Sequence, residues 1–432
     1  MDWNSQTGGE QMKGKIFWIF LLGVFGTGLF LVNSIQTAPK PIVIAMPTAL
    51  RTDWGVDAAN AVNFAISEIN AKGGVSVGGE KRPLKTVTAD TRDMDPATPV
   101  HDALLATEKL ILEQKPDAVL VGFARSEAFM AGMDLIAKYK IPYMGAYAQT
   151  HMFQRQFATD PAKYKYLFRA CGDAIITAKT VTDALDVLKN QHGLSRVYFM
   201  PQDTLLSKGF NGVLKAHCQK TGWEEVGFEV IASDSTDFSA VLTKMKEKKA
   251  QVICTFWDVA QGGTIFLKQW ASMKVPALIV GFVVGACSPR GWDLIGNDIE
   301  YCIQTEAPIG SAIPLTKVPK AKEFIERFVK KYGMPRAQWL TGSAYDGTYI
   351  LVGAIERAGS LEPDKVVAEI EKTDYRGVTG RVRFDKNHQA IFGDNPEETA
   401  VCLSYQWQKG KMVPIYPPSV AEGKVLLPPW MK

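Results

Sequence analysis

The apolar positions of this chain fall into short continuous runs separated by stretches with helical spacing, and the alternation repeats along most of its length. The run at residues 41–47 (PIVIAMP) breaks into a polar turn at 48–53. A helical pattern comes next, with Val62, Ile66 and Ile69 on one face and Gly73-Gly74 as its stop. Continuous runs of this length suit strands covered on both faces, whereas half-exposed strands alternate. The unit recurs: strand-like 84–90 precedes a helix over 97–113, strand-like 118–123 precedes one over 128–139, and 141–148 reads as another strand. A second series begins after residues 166–172. It predicts strands at 197–201, 225–232, 252–256 and 277–282, with helices at 174–188, 210–222, 238–248 and 263–273. Strands joined by single helices form parallel sheets with right-handed crossovers, so two series predict two lobes.

Beyond Tyr301 the pattern changes. A strand at 302–307 leads into a Pro-punctuated loop ending at Pro319. An amphipathic helix then carries Phe324, Ile325, Phe328, Val329 and Tyr332 on one face, and Gly333 closes it. The helix predicted over 343–358 is apolar nearly all round and should be buried. A strand at 398–407, a Gly-Lys turn and a Pro-rich tail complete the chain.

Residues 16–32 hold no charge and come after Lys13 and Lys15, a length between that of a signal core and a spanning helix. Both readings stand: residues 1–38 are a cleaved signal peptide, or a membrane anchor through 16–32. The chain beyond residue 38 is too long for one typical core and suits two domains. Charged residues make up 22% of the chain and the net charge is only +4, with both signs interspersed, so no nucleic-acid partner is indicated. Six cysteines are too sparse for a disulfide framework. Cys287 and Cys302 either close one loop or stay as buried thiols.

Several ordered segments carry a resemblance: INAKGGV at 69–75, DTRDMDP at 90–96, Phe168-Arg169, DFSAVLT at 237–243, AYDG at 344–347 and QWQKGK at 406–411. Together they resemble the leucine/isoleucine/valine-binding branch of the type I periplasmic solute-binding proteins that serve ABC importers. The resemblance implies an α/β fold of two doubly wound parallel-sheet lobes joined by three hinge crossings, with residues 41–168 and 305–395 in lobe 1 and 169–304 and 396–432 in lobe 2. It also implies a small-molecule ligand, ABC transporter permease subunits as partners, no cofactor, a monomer, and a periplasmic location.

The family holds a ligand carboxylate with hydroxyls and backbone N–H groups after the third and fourth strands of the first lobe. The matching turns here are 122–126 (GFARS) and 146–150 (AYAQT). Ser126 is a candidate both for capping its helix and for donating to an anion. Ala148 offers backbone groups and Thr150 a hydroxyl, with Gln149 as the contact if the register slips by one. Arg125 is either a bidentate carboxylate clamp or a surface arginine. Trp54 walls the cleft or packs on its own helix. The second lobe departs from the amino-acid-binding pattern. Leu206 stands where a ring hydroxyl is expected, in the segment that also holds Asp203, and residues 281–285 (GFVVG) offer no carboxylate for an α-ammonium. Trp257 and Asp258 are the nearest compensation: a stacking face, and either a cation partner or a helix cap. This combination points to a small organic acid or amino-acid-like solute with a sizeable apolar part.

An enzyme is not expected. The five histidines are dispersed, and no nucleophile elbow, phosphate loop or metal-spaced Cys/His cluster occurs. The acidic residues of the 90–96 segment read as solvated turn residues. A carrier and a membrane-tethered sensor of the same fold remain the two alternatives.

Overall fold

The computed structural model describes residues 39–431 apart from 96, 258, 259, 307 and 338. The expectations for residues 1–38 and for Asp258 therefore lie outside the described residues.

Two sheets organise the described chain. The first contains β1 (Ile42–Thr48), β2 (Leu84–Asp90), β3 (Ala118–Val121), β4 (Tyr143–Gly145) and β5 (Leu167–Arg169), in the order β2-β1-β3-β4-β5 and parallel throughout. The second contains β6 (Arg196–Phe199), β7 (Glu224–Phe228), β8 (Val252–Trp257), β9 (Leu278–Val283), β10 (Ile303–Glu306), β11 (Leu403–Gln408) and β12 (Lys411–Tyr416). Its order is β12-β11-β10-β9-β8-β6-β7, and β11 and β12 join it antiparallel. Both sheets are flanked by helices, so β1, β3, β8 and β9 are buried nearly end to end, which is why they read as continuous apolar runs.

The chain passes between the sheets three times. It leaves the first after Arg169, returns in the helix Pro319–Tyr332, and crosses again near Ala400. The second passage lies later than expected. Thr305 and Glu306 pair with Ser404 and Leu403 of the second sheet, and Ile309, Ile313, Leu315, Val318 and Ala321 pack into that sheet's core. Thr305, Glu306 and the apolar residues from Ile309 to Ala321 thus sit with lobe 2, because the apolar side chains of the Pro-punctuated loop are buried there.

All six cysteines, Cys287 and Cys302 included, are buried and in no disulfide. Among the described residues no helix is long and apolar enough to cross a membrane.

Candidate functional site

β3 and β4 pair in register, Val121 with Gly145, so the two turns beyond them leave the same sheet edge side by side. Ser126 and Thr150 stand at the same offset beyond that pair. The first turn starts abruptly: Gly122 N–H bonds back to Leu120 C=O at 2.9 Å, closing a γ-turn around Val121, whose φ is +69°. A β-branched residue rarely adopts positive φ, and such strain concentrates at functional sites. Gly122 then needs φ +77°, and a Cβ there would lie 1.7 Å from the Tyr143 hydroxyl.

A buried carboxylate fixes the rest of this turn. Asp93 is fully buried and accepts from Ala124 N–H at 2.7 Å, Arg125 N–H at 2.8 Å and Thr91 Oγ1 at 2.5 Å. This corrects the reading of the 90–96 acids as solvated: Asp93 holds the turn that presents Ser126. Arg125, not Ser126, occupies the cap position of the helix Ser126–Tyr139, without a side-chain cap bond. Its guanidinium donates to Thr98 C=O at 3.1 Å and lies 3.9 Å from Glu127, within its own lobe. Ser126 is half-buried and its hydroxyl makes no protein hydrogen bond among the described residues, so it is available to a solute.

The second turn is held from beneath by Arg169, which is 1% exposed. One guanidinium nitrogen, Nη1, donates to Ala148 C=O at 3.2 Å and Thr150 C=O at 2.5 Å. Gln149 C=O accepts from Ala174 N–H at 2.9 Å. All three carbonyls of the turn are committed, while the N–H groups of Ala148, Gln149 and Thr150 bond to no protein acceptor among the described residues. Gln149 Nε2 is buried without a partner, and Thr150 Oγ1 accepts from Met152 N–H at 3.2 Å while keeping its own proton to donate. The turn is a donor surface above a buried cation. Tyr147 joins it to the first strand's turn through a 3.2 Å contact between its hydroxyl and Thr52 Oγ1.

A cavity of about 370 Å³ lies where the lobes meet, lined from lobe 1 by Thr52, Asp53, Trp54 and Arg336 and from lobe 2 chiefly by residues 282–288. Trp54 lines this cavity and also packs on the lobe 1 core, so both of its readings describe its position. Gly55 lets the first helix turn close down here: a Cβ would sit 2.1 Å from Ala49 C=O. Asp53 is paired with Arg336 across 3.3 Å. Asp57 is buried and accepts from Arg336 and Ala337 N–H at 2.6 and 2.8 Å, and burial pushes its carboxyl up to about 6. A larger open depression of about 540 Å³ on lobe 2 is lined by Asp237, Ser239, Ile265, Lys268, Gln269, Ser272 and Met273, all from lobe 2.

Trp339 carried no signal in the sequence beyond being an aromatic in a loop, and it touches both lobes. It packs on the cores of both, its ring centroid lies 4.4 Å from that of Phe282, and its Nε1 is buried without a partner. Ser288 Oγ adds a 3.0 Å bond to Arg336 C=O across the same gap.

The remaining lobe 2 candidates lie elsewhere. Trp257 is fully buried, edge-on to Phe238 at 5.5 Å, with its Nε1 unpartnered. It is a core side chain and presents no stacking face to the cleft. Asp203 is half-exposed and bound to Lys208 at 2.5 Å, and Leu206 is exposed. Tyr345 and Asp346 lie on the buried helix Thr341–Ala358. Asp346 accepts from Val378 and Thr379 N–H at 2.9 and 2.8 Å, supporting the strands that lead to the third crossing.

A family model described as periplasmic binding protein matches residues 43–393. A Leu/Ile/Val-binding protein homolog 8 from Brucella abortus is 25% identical over 385 residues, covering 86% of this chain and 88% of that one. A putative branched-chain amino acid ABC transporter structure from Silicibacter pomeroyi superposes with a TM-score of 0.77 at 19% identity, covering 91% of this chain and all of that one. An ABC transporter solute binding protein from R. palustris, in complex with benzoate, has a TM-score of 0.67 at 15% identity, covering 89% of this chain and 98% of that one.

Proposed function

The chain belongs to the periplasmic binding protein family, and we propose that within it this protein is of the type that serves branched-chain amino acid ABC transporters and captures a small carboxylate with an apolar or aromatic body and no α-ammonium. The observation that carries this reading is the donor-only turn at 148–150. Its three carbonyls are consumed internally and the Arg169 guanidinium lies directly beneath. A solute carboxylate gains from that arrangement, and an ammonium brought to the same carbonyls meets a like charge within a few ångströms. The neighbouring cavity, which Ser126 and residues 148–150 do not line, has a lobe 2 wall at 282–288 that supplies Phe282, Val284 and Cys287 and no acid, and its Asp53 is already paired with Arg336. The benzoate held by one similar structure is consistent with this class.

As a carrier, the protein closes its lobes on the solute and offers the closed pair to membrane permease subunits. Only contacts stronger in the closed form shift that equilibrium. The protein acts as an exported monomer. If the apolar segment at 16–32 is retained, the same site makes a tethered sensor, and sequencing the mature amino terminus separates the two. The solute is tested by mass spectrometry of the small molecules released on denaturation, and by calorimetry against benzoate, phenylacetate, L-phenylalanine and L-leucine. Aromatic carboxylates are expected to bind and the amino acids to bind at least tenfold more weakly. Nanomolar leucine affinity overturns the reading.

A further inference from the structure

Arg169 does more than fill space beneath the site. Its five donors reach three separate parts of the chain. Nη1 holds the carbonyls of Ala148 and Thr150; Nη2 donates to Gln154 Oε1 at 3.1 Å; Nε donates to Gln389 Oε1 at 2.5 Å. Phe153 lies under the guanidinium at 4.9 Å, and Asp173 balances its charge at 3.7 Å. The backbone repeats the link: Arg169 N–H donates to His388 C=O and Ala390 N–H to Arg169 C=O, both at 2.9 Å. Gln389 Nε2 in turn donates to Cys171 C=O at 2.8 Å. One side chain therefore joins the solute turn, the first crossing and the segment that leads to the third.

In a trans peptide the C=O and the next N–H point in opposite directions. Carbonyls of 148 and 150 drawn onto Arg169 thus turn the N–H groups of Gln149 and His151 away from it. Gln149 C=O bonded to Ala174 N–H fixes the Thr150 N–H in the same manner. Neither Gln149 nor His151 N–H bonds to a protein acceptor among the described residues. We infer that Arg169 is the positioning residue of the site: it presents the amides of Gln149 and His151 to the solute carboxylate, beside a Thr150 amide set by the Ala174 bond, and ties their position to two of the three hinge crossings. This rests on the carboxylate reading above and adds how the turn is set and where its occupancy is felt.

The test titrates sodium acetate, the simplest carboxylate, into the ¹⁵N-labelled protein and tracks amide shifts. In the wild type the amides of 149–151 are expected to shift saturably, with smaller shifts at Cys171 and Ala390. Arg169→Lys, which retains the charge but has only one donor group, is expected to weaken acetate about tenfold, the worth of one charge-assisted hydrogen bond. Gln389→Leu removes the side-chain half of the tether to the third crossing and leaves the backbone pair with Arg169 in place: the 149–151 shifts should persist and the Ala390 shift should fall about twofold or more. If Arg169→Lys does not fold, Gln154→Leu, which frees one guanidinium nitrogen, is expected to weaken acetate about two- to fivefold. Wild-type amides that ignore acetate overturn the carboxylate reading itself. Wild-type shifts that survive unchanged in Arg169→Lys, or in Gln154→Leu where the former is unfolded, overturn the role of Arg169 alone. An Ala390 shift of undiminished size in Gln389→Leu removes the side-chain link to the hinge.

Discussion

Glu306→Gln is expected to abolish a large part of the pH dependence of stability. Glu306 ends β10, is fully buried, and gathers three backbone donors on Oε1: Ser311 at 3.0 Å, Ala312 at 2.8 Å and Ile313 at 3.4 Å. Its Oε2 has no partner. Burial outweighs the three N–H groups and pushes the carboxyl from 4.5 up to about 8. The folded chain therefore holds a proton between pH 4.5 and 8 that the unfolded chain has released. Stability from this group is fully present below pH 4.5 and is lost as pH rises through 8. At about 1.4 kcal/mol per unit, the loss across that window is about 5 kcal/mol. Glutamine keeps the oxygen that accepts the three N–H groups and puts an uncharged amide where Oε2 has no partner. Urea unfolding of both proteins from about pH 4.5 to 9 measures the difference directly. The variant should match the wild type within about 1 kcal/mol at the acid end and exceed it by several kcal/mol at about pH 9. Asp57 and Asp346 are also raised, each to about 6, and give both proteins the same slope at lower pH, so the difference isolates Glu306. Parallel curves across the range would refute the reasoning.

Ser126→Ala is expected to weaken carboxylate binding about tenfold in calorimetry with no drop in melting temperature, because the hydroxyl makes no protein bond among the described residues to lose. Trp257→Ala should instead cost about 3–5 kcal/mol in urea unfolding, as a cavity in the lobe 2 core does. Trp339→Ala removes the aromatic contact with Phe282, worth about 1 kcal/mol, and should raise the ratio of separated to closed lobes about fivefold, read as a larger radius of gyration by small-angle scattering without solute.

The strand–helix alternation was legible because buried parallel strands need unbroken apolar runs, and β1, β3, β8 and β9 have them. The two turns proposed to face the solute came from the family resemblance, which sets them after the third and fourth strands, and strand register does bring Ser126 and Thr150 to the same sheet edge. What the sequence hid were single polar residues whose neighbours come from far along the chain. Asp93 sits among acids in a turn rich in charge, and nothing local says that its partners are the N–H groups of residues 124 and 125. Arg169 looked like one residue of a short motif, yet its partner Gln389 is 220 positions away. Trp257 misled in the other direction. An aromatic at a strand's end reads as a cleft wall, but Gly262 and Gly263 let the next helix close over the indole, where a Cβ on Gly262 would lie 2.7 Å from the ring.

The aromatic contact across the lobes bears on how a solute acts. Phe210, Phe256, Phe282 and Trp339 form a continuous series with centroids 4.7, 4.8 and 4.4 Å apart, the first three from lobe 2 and the last from the loop after Gly333. Phe256 and Phe282 face each other across β8 and β9 in register, so the sheet fixes their stack before any lobe closure. Trp339 on that stack, with the Ser288–Arg336 bond beside it, gives the lobes contacts with each other that need no solute. A solute then needs to add only the remainder of the free energy that separates open from closed, and on the carboxylate reading proposed above the donor turn over Arg169 adds it for an anion. Selectivity in such a clamp is set on the polar side, and the apolar side sets how readily the lobes meet. A solute lacking the carboxylate would find the lobes already able to touch and would gain nothing from bringing them together.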